Sequence, residues 1–528
     1  MTATEYGIVY AVHIITVEFG PIVSKVCERL LRKGPLSLRE IAKSDINHNK
    51  VKDILSLLIH HNCVQAFSLE PPDGSDSKAI VQYIVMFNNI IHRVRFDKFS
   101  KVVNEELGPQ CGSVFDALLT SGRLTLGQLI QKDSCTKKPK GSKEMRDSLR
   151  KLVAARFVER VPSPEPVLGN KEGPAQKKRG AKILKEPEET LEERVLEAST
   201  PVESIRFPLI FEQGSSSSSA DNDSNISEGK RKERDVDSSS DANNEVVWRP
   251  NFEELIRRLR HKACVEIVKE RRDDQRCAIV LNAMLELGRS QEKKVKTDKS
   301  VPMSRDSIYE EVIKTEEGRD MLDDKVKKCL EQLSATSSYL MLPKKTSSYL
   351  PAFVIRTDDS YIVDYKSIIS VAQKDEVESL VMKRYGKEAL RMFRYLSQED
   401  RFVETDRIAN ALLTEKKVTP QILMKMWKDS YLHMQKLVVT GVYVPFLLWK
   451  VDKAIAWRKM LDEMYHASLN LSLRLIHESD SERELLLLPV DKLEGGLKNR
   501  RKKIDDKTIL LSNARLNLDD AIMLFHDF

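Results

Sequence analysis

Glycine is scarce in this 528-residue chain, with 20 residues in all, and aromatic residues make up only 6%. So little glycine argues against an active site built from backbone loops. The seven cysteines, Cys27, Cys63, Cys111, Cys135, Cys264, Cys277 and Cys329, include no pair two residues apart. That pattern argues against a zinc ribbon and a dithiol redox motif, and predicts buried thiols in a reducing compartment. No apolar run approaches the 18 or so residues of a membrane span, so no transmembrane helix is expected. Residues 8–19 are apolar but are broken by His13 and Glu18, and no basic stretch precedes them, which predicts no secretory leader. The phosphate loop G-x-x-x-x-G-K-[ST], the dinucleotide fingerprint G-x-G-x-x-G, the zinc motif H-E-x-x-H and the nucleophile elbow G-x-S-x-G are all missing. The acidic pairs Asp323-Asp324, Asp358-Asp359, Asp505-Asp506 and Asp519-Asp520 lie in charged stretches and read as solvated faces or turns. His60-His61 reads as one ring toward the core and one toward solvent. The chain is therefore expected to be no enzyme, with no catalytic residue, no cofactor and no metal site.

What is abundant is charge. Lys and Arg number 87 against 80 Asp and Glu, and charged residues reach 32%, above the roughly 25% of an average domain. A net charge of +7 is too modest for a wholesale coat on nucleic acid. Any phosphate binding must come from local patches.

One pattern recurs. Residues 34–41 read G-x-L-S-L-x-x-I from Gly34 to Ile41, and residues 122–129 read G-x-L-T-L-x-x-L from Gly122 to Leu129. Each follows an amphipathic stretch and leads into a second one. The first copy ends Leu58-Ile59, three residues, Cys63-Val64; the second ends Leu152-Val153, three residues, Phe157-Val158. A glycine stops the first helix, Ser37 or Thr125 caps the next, a third helix crosses it, and an apolar pair opens a β-hairpin. That is the layout of a winged helix. A further copy is read from Phe402-Val403, with Thr405-Asp406 as capping pair, Thr419-Pro420 opening the third helix, Leu432 closing it, Leu437-Val438 as the apolar pair, and Gly441 and Pro445 bounding the wing. A weaker copy has a long helix over 251–288, Ser304 capping 305–314, a helix over 319–335, and a wing from 339–342 and 353–356.

The expected fold is mainly α with small β-wings: four tandem winged-helix domains, of the extended kind, and a C-terminal helical hairpin or coiled coil. Winged helices are expected over 1–95, 96–161, 245–372 and 373–450. Residues 162–244, with Pro162, Pro164, Pro166 and the run Ser215–Ser219, read as a disordered charged linker. Within it Ile205–Phe211 is unusually apolar, either a docking strand for a partner or a local collapse. The hairpin is expected over 451–528. Ala454, Trp457, Leu461, Met464, Ser468, Leu471 and Leu475 form one seam, and Leu497, Ile504, Leu511, Leu518 and Phe525 recur every seven residues.

Basic side chains near the third helices are the candidate nucleic-acid contacts: Lys50 and Lys52 in the first copy, Lys137, Lys138, Lys140, Lys143, Arg146 and Arg150 in the second, and Lys293, Lys294 and Lys296 in a loop of the third. Their chemistry suits phosphate contact more than base readout. Lys177-Lys178-Arg179 and Lys230-Arg231-Lys232 are candidate nuclear import signals, with plain solvated charge as the equal alternative.

The order of these parts resembles one known family. Two copies of L-[ST]-L-x-x-[IL], a charged linker, two more winged helices and a C-terminal coiled coil are similar to the third-largest subunit of nuclear RNA polymerase III, a tandem winged-helix family related to general transcription factor IIE alpha. Glu18–Val23 followed by Leu36–Ala42 resembles its opening helix-turn-helix, and Leu58–Val64 its passage from helix to wing. The resemblance implies a nuclear, non-catalytic subunit on the polymerase clamp, in a subcomplex with two smaller subunits. It also implies contact with initiation factor IIIB and with melted promoter DNA at genes for transfer RNA, 5S ribosomal RNA and other short transcripts, with little sequence selectivity and no membrane partner. The competing readings are a free winged-helix DNA-binding regulator and a helical scaffold of another large complex.

Overall fold

In the computed structural model the described residues are 3–43, 47–69, 80–134, 141–162, 166–168, 190–208, 246–272, 274–289, 291–292, 296–338, 349–438, 446–488 and 495–528. They divide into two compact units, one spanning 11–255 and the other combining the start of the N-terminal helix, up to Tyr10, with 256–528.

In the first unit, α1 (Glu5–Phe19) is followed by α2 (Pro21–Lys33), β1 (Leu36–Ser37), α3 (Leu38–Ala42), α4 (His48–His60), β2 (Val64–Leu69) and β3 (Ile80–Val85). Helix α2 buries Val23, Val26, Cys27 and Leu30, the three-and-four spacing of one helical face. Ser37 starts α3 as expected: its backbone N–H donates to the Glu40 carboxylate at 2.8 Å, a capping box. The bonds from Ser37 hold the Glu40 carboxyl below its ordinary range. Helix α4 ends at Asn62, at φ 59°. The Cys63 N–H then reaches back to the Leu58 carbonyl at 2.8 Å, so the apolar pair Cys63-Val64 is delivered to the sheet by a left-handed helix stop.

The second winged helix repeats this after α5 (Phe87–His92) and α6 (Phe96–Leu107). It comprises α7 (Pro109–Ser121), β4 (Leu124–Thr125), α8 (Leu126–Ser134), α9 (Ser142–Ala154) and β5 (Val158–Arg160). Thr125 and Gln128 exchange the same reciprocal bonds, at 2.9 and 3.2 Å. Arg156 stands where Asn62 stood, at φ 63°, and the Phe157 N–H returns to Leu152 at 3.0 Å. The two copies meet closely: the Arg123 N–H donates to the His60 carbonyl at 3.1 Å and Arg123 Nε to Asn62 Oδ1 at 2.9 Å. Burial, with a smaller part from nearby Arg249, lowers the Arg123 guanidinium to about 10.

The rest of this unit departs from expectation in two ways. Its sheet has the order β4-β7-β5, where β7 is Val247–Pro250. The third strand of the second wing thus lies beyond the stretch read as a linker, and residues 247–250 belong to the second winged helix, not to the third. The linker is an insertion between two paired strands, a separation too long for a hairpin signal to reveal. Parts of 162–244 are also structured. β6 (Val167–Leu168) runs parallel to β2, with Ser68 opposite Val167. Helix α10 (Leu191–Ser199) buries Val195 against Phe67, Ile84, Met86 and Leu168. Helix α11 (Glu203–Arg206) follows. Ile205–Pro208 therefore forms no docking strand. Arg206 pairs with Glu159 and, at 3.0 Å, with Glu253, while its guanidinium lies 5.2 Å from the Phe207 ring. Of the two readings of this segment, local collapse describes residues 205–208, and 209–211 fall outside the described residues.

In the second unit, α12 (Phe252–Arg271) and α13 (Gln275–Arg289) replace the single helix expected over 251–288. Asp274 Oδ1 accepts from the Arg276 N–H at 3.0 Å and starts a new helix. β8 (Met303–Ser304) leads to α14 (Arg305–Lys314), capped as expected by the Ser304 hydroxyl, which accepts from the Ser307 N–H at 3.2 Å. After α15 (Asp323–Ser334), β9 (Ser337–Ser338) pairs with β10 (Tyr349–Leu350) as a separate ribbon. The wing is β11 (Val354–Thr357) with β12 (Ser360–Val363), joined by β8. The expected pairing of 339–342 with 353–356 is replaced by this tighter hairpin, and 339–342 lie outside the described residues. Phe353, Leu330, Leu333, Ile308 and Leu281 fill the core between them.

The last winged helix is α16 (Tyr365–Tyr385), α17 (Lys387–Glu399), β13 (Val403–Glu404), α18 (Thr405–Leu412), α19 (Val418–Lys428), β14 (His433–Leu437) and β15 (Phe446–Lys450), with sheet order β13-β15-β14. Its landmarks shift from those read in the sequence. Thr405 is no cap; its hydroxyl accepts from the Trp449 indole N–H at 2.8 Å. Thr419 lies inside α19, fully buried, bonded to the Glu415 carbonyl. The helix stop is Ser430, at φ 64°, with the Tyr431 N–H returning to Met426 at 2.9 Å. The apolar frame is therefore Met426-Trp427, three residues, Tyr431-Leu432, matching the first two copies. Gly441 and Pro445 lie outside the described residues.

Helix α20 (Lys453–Ser481), short α21 (Arg483–Leu487) and α22 (Gly495–His526) form the C-terminal hairpin. Lys507 pairs with Glu478 at 3.2 Å and Arg500 with Glu482, which sets the helices antiparallel. Leu461, Met464 and Ser468 are buried as the seam predicts, but Met460, Tyr465 and Leu469 join them, so the buried stripe is wider than a two-stranded seam. Ala454 and Leu497 are exposed and outside it. The Ser468 hydroxyl donates to Tyr10 at 2.8 Å, so α1 answers the polar position of the stripe. Asp519 is buried, unlike the solvated setting expected of that acidic pair.

Candidate nucleic-acid interface

A third helix can offer phosphates only those cations that its own packing leaves outside. Helix α9 turns Met145, Ser148, Leu149, Leu152 and Val153 into the unit. At 100° per residue, Lys143, Arg146 and Arg150 then lie within about 60° of one another on the opposite face. All three are exposed, and Lys151, which the sequence reading passed over, flanks them. Glu144 and Asp147 are the acidic residues among them. This is a compact basic row on the helix that a winged helix presents to a duplex. Lys137, Lys138 and Lys140, in the loop before α9, lie outside the described residues.

The other candidates separate. Lys50 and Lys52 are both exposed near the start of α4, but two residues apart they point about 160° away from each other, so they form no common patch. Lys296 does not stand free: its ammonium donates to the His526 carbonyl at 2.9 Å, neutralising the negative end of α22. Lys293 and Lys294, and the import candidates Lys177, Lys178, Arg179, Lys230, Arg231 and Lys232, lie outside the described residues. Arg271 and Arg272, beside the third copy, also serve the fold. Arg271 pairs with Asp375, and Arg272 donates to the Ala335 carbonyl at 3.1 Å and lies 5.3 Å from the Phe353 ring.

The remaining titratable groups are structural in their surroundings. His61 packs on Phe19 at 4.8 Å, and burial together with nearby Arg93 pushes its ring down to about 4. Glu292 is buried and receives Arg260 at 3.1 Å and the Tyr365 hydroxyl. Arg257 lies at 3.6 Å and His261 at 3.8 Å from the same carboxylate. Glu292 thus centres a buried polar knot between α12 and α16, a position its place in a charged loop did not signal. Burial holds the His261 ring below its ordinary value, which leaves Glu292 facing two guanidinium groups and a neutral ring. The six described cysteines are all buried. Among the described residues no cluster of three His, Cys, Asp or Glu side chains could hold a metal ion, and no helix is long and apolar enough to cross a membrane.

Known proteins match this chain over most of its length. The model of RNA polymerase III subunit RPC82 matches residues 147–372, that of the RNA polymerase III subunit RPC82 helix-turn-helix domain matches 9–69, and that of the POLR3C C-terminal winged-helix domain matches 377–451. The DNA-directed RNA polymerase III subunit rpc3 of Dictyostelium discoideum is 21% identical, covering 98% of this chain and 99% of that protein. Subunit RPC3 of Homo sapiens is 22% identical over 89% of this chain and 83% of its own length, and that of Danio rerio 21% over 89% and 84%.

Proposed function

The chain belongs to the family of RNA polymerase III subunit RPC82, and from that premise we propose that it is a non-catalytic peripheral subunit of nuclear RNA polymerase III. In this reading it docks on the clamp of the polymerase within a subcomplex that it forms with two smaller subunits. It helps recruit the enzyme through initiation factor IIIB, and it steadies the melted promoter of transfer RNA, 5S ribosomal RNA and other small RNA genes. The basic row Lys143, Arg146 and Arg150 on α9 carries the nucleic-acid part of the proposal, joined by Lys137, Lys138 and Lys140 from the preceding loop. Three exposed cations opposite a fully packed face suit contact with a phosphate backbone, which needs charge and no base-specific geometry. The clusters around Lys177 and Lys230 are proposed to direct nuclear import.

Two measurements test this. A tagged full-length chain should recover a multi-subunit polymerase in a native pull-down read by mass spectrometry; recovery of the chain alone, or with an unrelated complex, would count against the proposal and favour the scaffold reading. Reversing Lys143, Arg146 and Arg150 to Glu should leave the melting profile intact, since all three are exposed. It should also weaken retention on pre-melted promoter DNA and flatten the salt dependence of log K by about 2, at roughly 0.7 per lost phosphate contact. Unchanged retention removes the row from the mechanism. Strong sequence-selective duplex binding by the isolated chain would favour the free regulator.

A further inference from the structure

The wing sheets share one design: a two-residue strand before the second helix pairs with the last wing strand, leaving the first wing strand at the outer edge. An exposed edge presents unpaired N–H and C=O groups that invite another strand. The chain itself shows what such an edge accepts. In the first winged helix, Val167–Leu168 lies along β2, the Ser68 N–H donates to the Pro166 carbonyl at 3.0 Å, and Leu168 packs beside Phe67 and Ile84. In the second, the edge strand β5 is flanked by α11, with Glu159 held between Arg206 and Arg249. In the third, the edge strand β11 buries Val354 and ends in the exposed polar pair Arg356 and Thr357.

The fourth wing differs. Its edge strand β14 is five residues long and, among the described residues, nothing pairs with its outer side. The register places Leu437 opposite Phe446 and Gln435 opposite Leu448, on the face turned away from buried Trp449. Phe402 reaches the same face, its ring 5.6 Å from His433. Leu437, Phe446 and Phe402 are each more than a third exposed, and Val438, at the end of the strand, is 70% exposed. The two strands carry His433, Lys436 and Lys450 and no carboxylate.

We propose that the outer edge and face of this wing form a docking site for an extended segment of another subunit. The segment adds as a strand to β14, its apolar residues covering Leu437, Phe446 and Phe402 and its intervening carboxylates falling on the other face, beside Lys436. Only the source of the segment rests on the reading as a polymerase subunit; the pairing mode rests on the way β6 covers β2.

The test uses the tagged full-length chain carrying a photo-crosslinking benzoylphenylalanine at Leu437 or Val438, irradiated in the assembly with which it co-purifies. A covalent link to another subunit is expected, at a segment that alternates apolar and acidic residues. Backbone amides within His433–Leu437 should also exchange at least tenfold more slowly in the assembly than in the free chain. Links only within the chain, to a second copy, or to a helical surface would overturn the proposal, as would equal exchange in the two states. The double substitution Leu437→Glu and Val438→Glu changes exposed side chains only. It should leave the melting profile unchanged and abolish the link made by a benzoylphenylalanine placed instead at Phe402, whereas a persisting link counts against the site. If no polymerase subunit co-purifies, the proposed function fails, while the crosslink and exchange readings still decide this site.

Discussion

At the scale of single residues, the repeat is held by positions whose importance lies in backbone geometry. Asn62, Arg156 and Ser430 occupy the left-handed stop after the third helix of the first, second and fourth copies. None is glycine; Asn62 is of a type that tolerates this region, while for Arg156 and Ser430 the conformation is uncommon. What the copies share there is a hydrogen bond between backbone atoms, which no residue type announces. Gly122 is different. It has φ +80°, and a Cβ added to it would come 2.5 Å from the His60 carbonyl oxygen. Gly122→Ala is therefore expected to destabilise the first unit by more than about 1 kcal/mol, from backbone strain plus displacement of the neighbouring copy. It should lower the thermal midpoint and speed amide exchange at Arg123. Gly141→Ala, with open space at that position and an extended backbone, is the control that should change little.

At the scale of elements, the clearest legible signals were local ones. The capping pairs at Ser37, Thr125 and Ser304 stand where the sequence pattern put them, because a cap is made within four residues. A fourth was present and overlooked: Thr190 and Glu193 form a capping box that opens α10, hidden in a stretch whose overall composition reads as unstructured. What holds α11 was not legible at all. Arg206 finds Glu159, 47 residues earlier, and Glu253, 47 residues later. Glu159 is only 3% exposed and keeps Arg249 at 2.7 Å. Arg206→Ala removes one of the two cations facing a buried carboxylate, at an expected cost of about 1–3 kcal/mol. Exchange should quicken across 191–207 and leave α20 and α22 unaffected. Unaltered exchange there would show that packing of Val195 alone anchors the segment.

At the scale of the whole molecule, a mostly helical chain with little glycine encloses its reactive groups instead of exposing them. Burial pushes the Cys63 thiol up to about 11 and the Cys264 thiol to about 12. A reagent must reach the sulfur to react with it, and all six described cysteines are buried, so native protein should give at most one rapid equivalent with a disulfide reagent at neutral pH, and seven in denaturant. Two or more rapid equivalents would mean that one of these cores opens readily. The same chain has no pattern that marks where one winged helix ends and the next begins. Strand β7 closes the second wing from beyond residue 245, and the expected boundary there was displaced because composition changes at the end of an insertion, not at the end of a fold.

The amino-acid sequence by itself determined the periodic parts of this protein: the amphipathic helices, the caps, the first two repeats and the antiparallel hairpin, all of which follow from spacing within a few turns of chain. It also carried the family resemblance, which lies in the order of those parts. Only the tertiary structure decided which strand completes which wing, that Lys296 caps a helix instead of standing free, and that Lys143, Arg146 and Arg150 are left exposed. The physical reason is common to all three. Each depends on which groups are brought together from distant parts of the chain and which are left facing water, and burial of that kind is a property of the packed molecule.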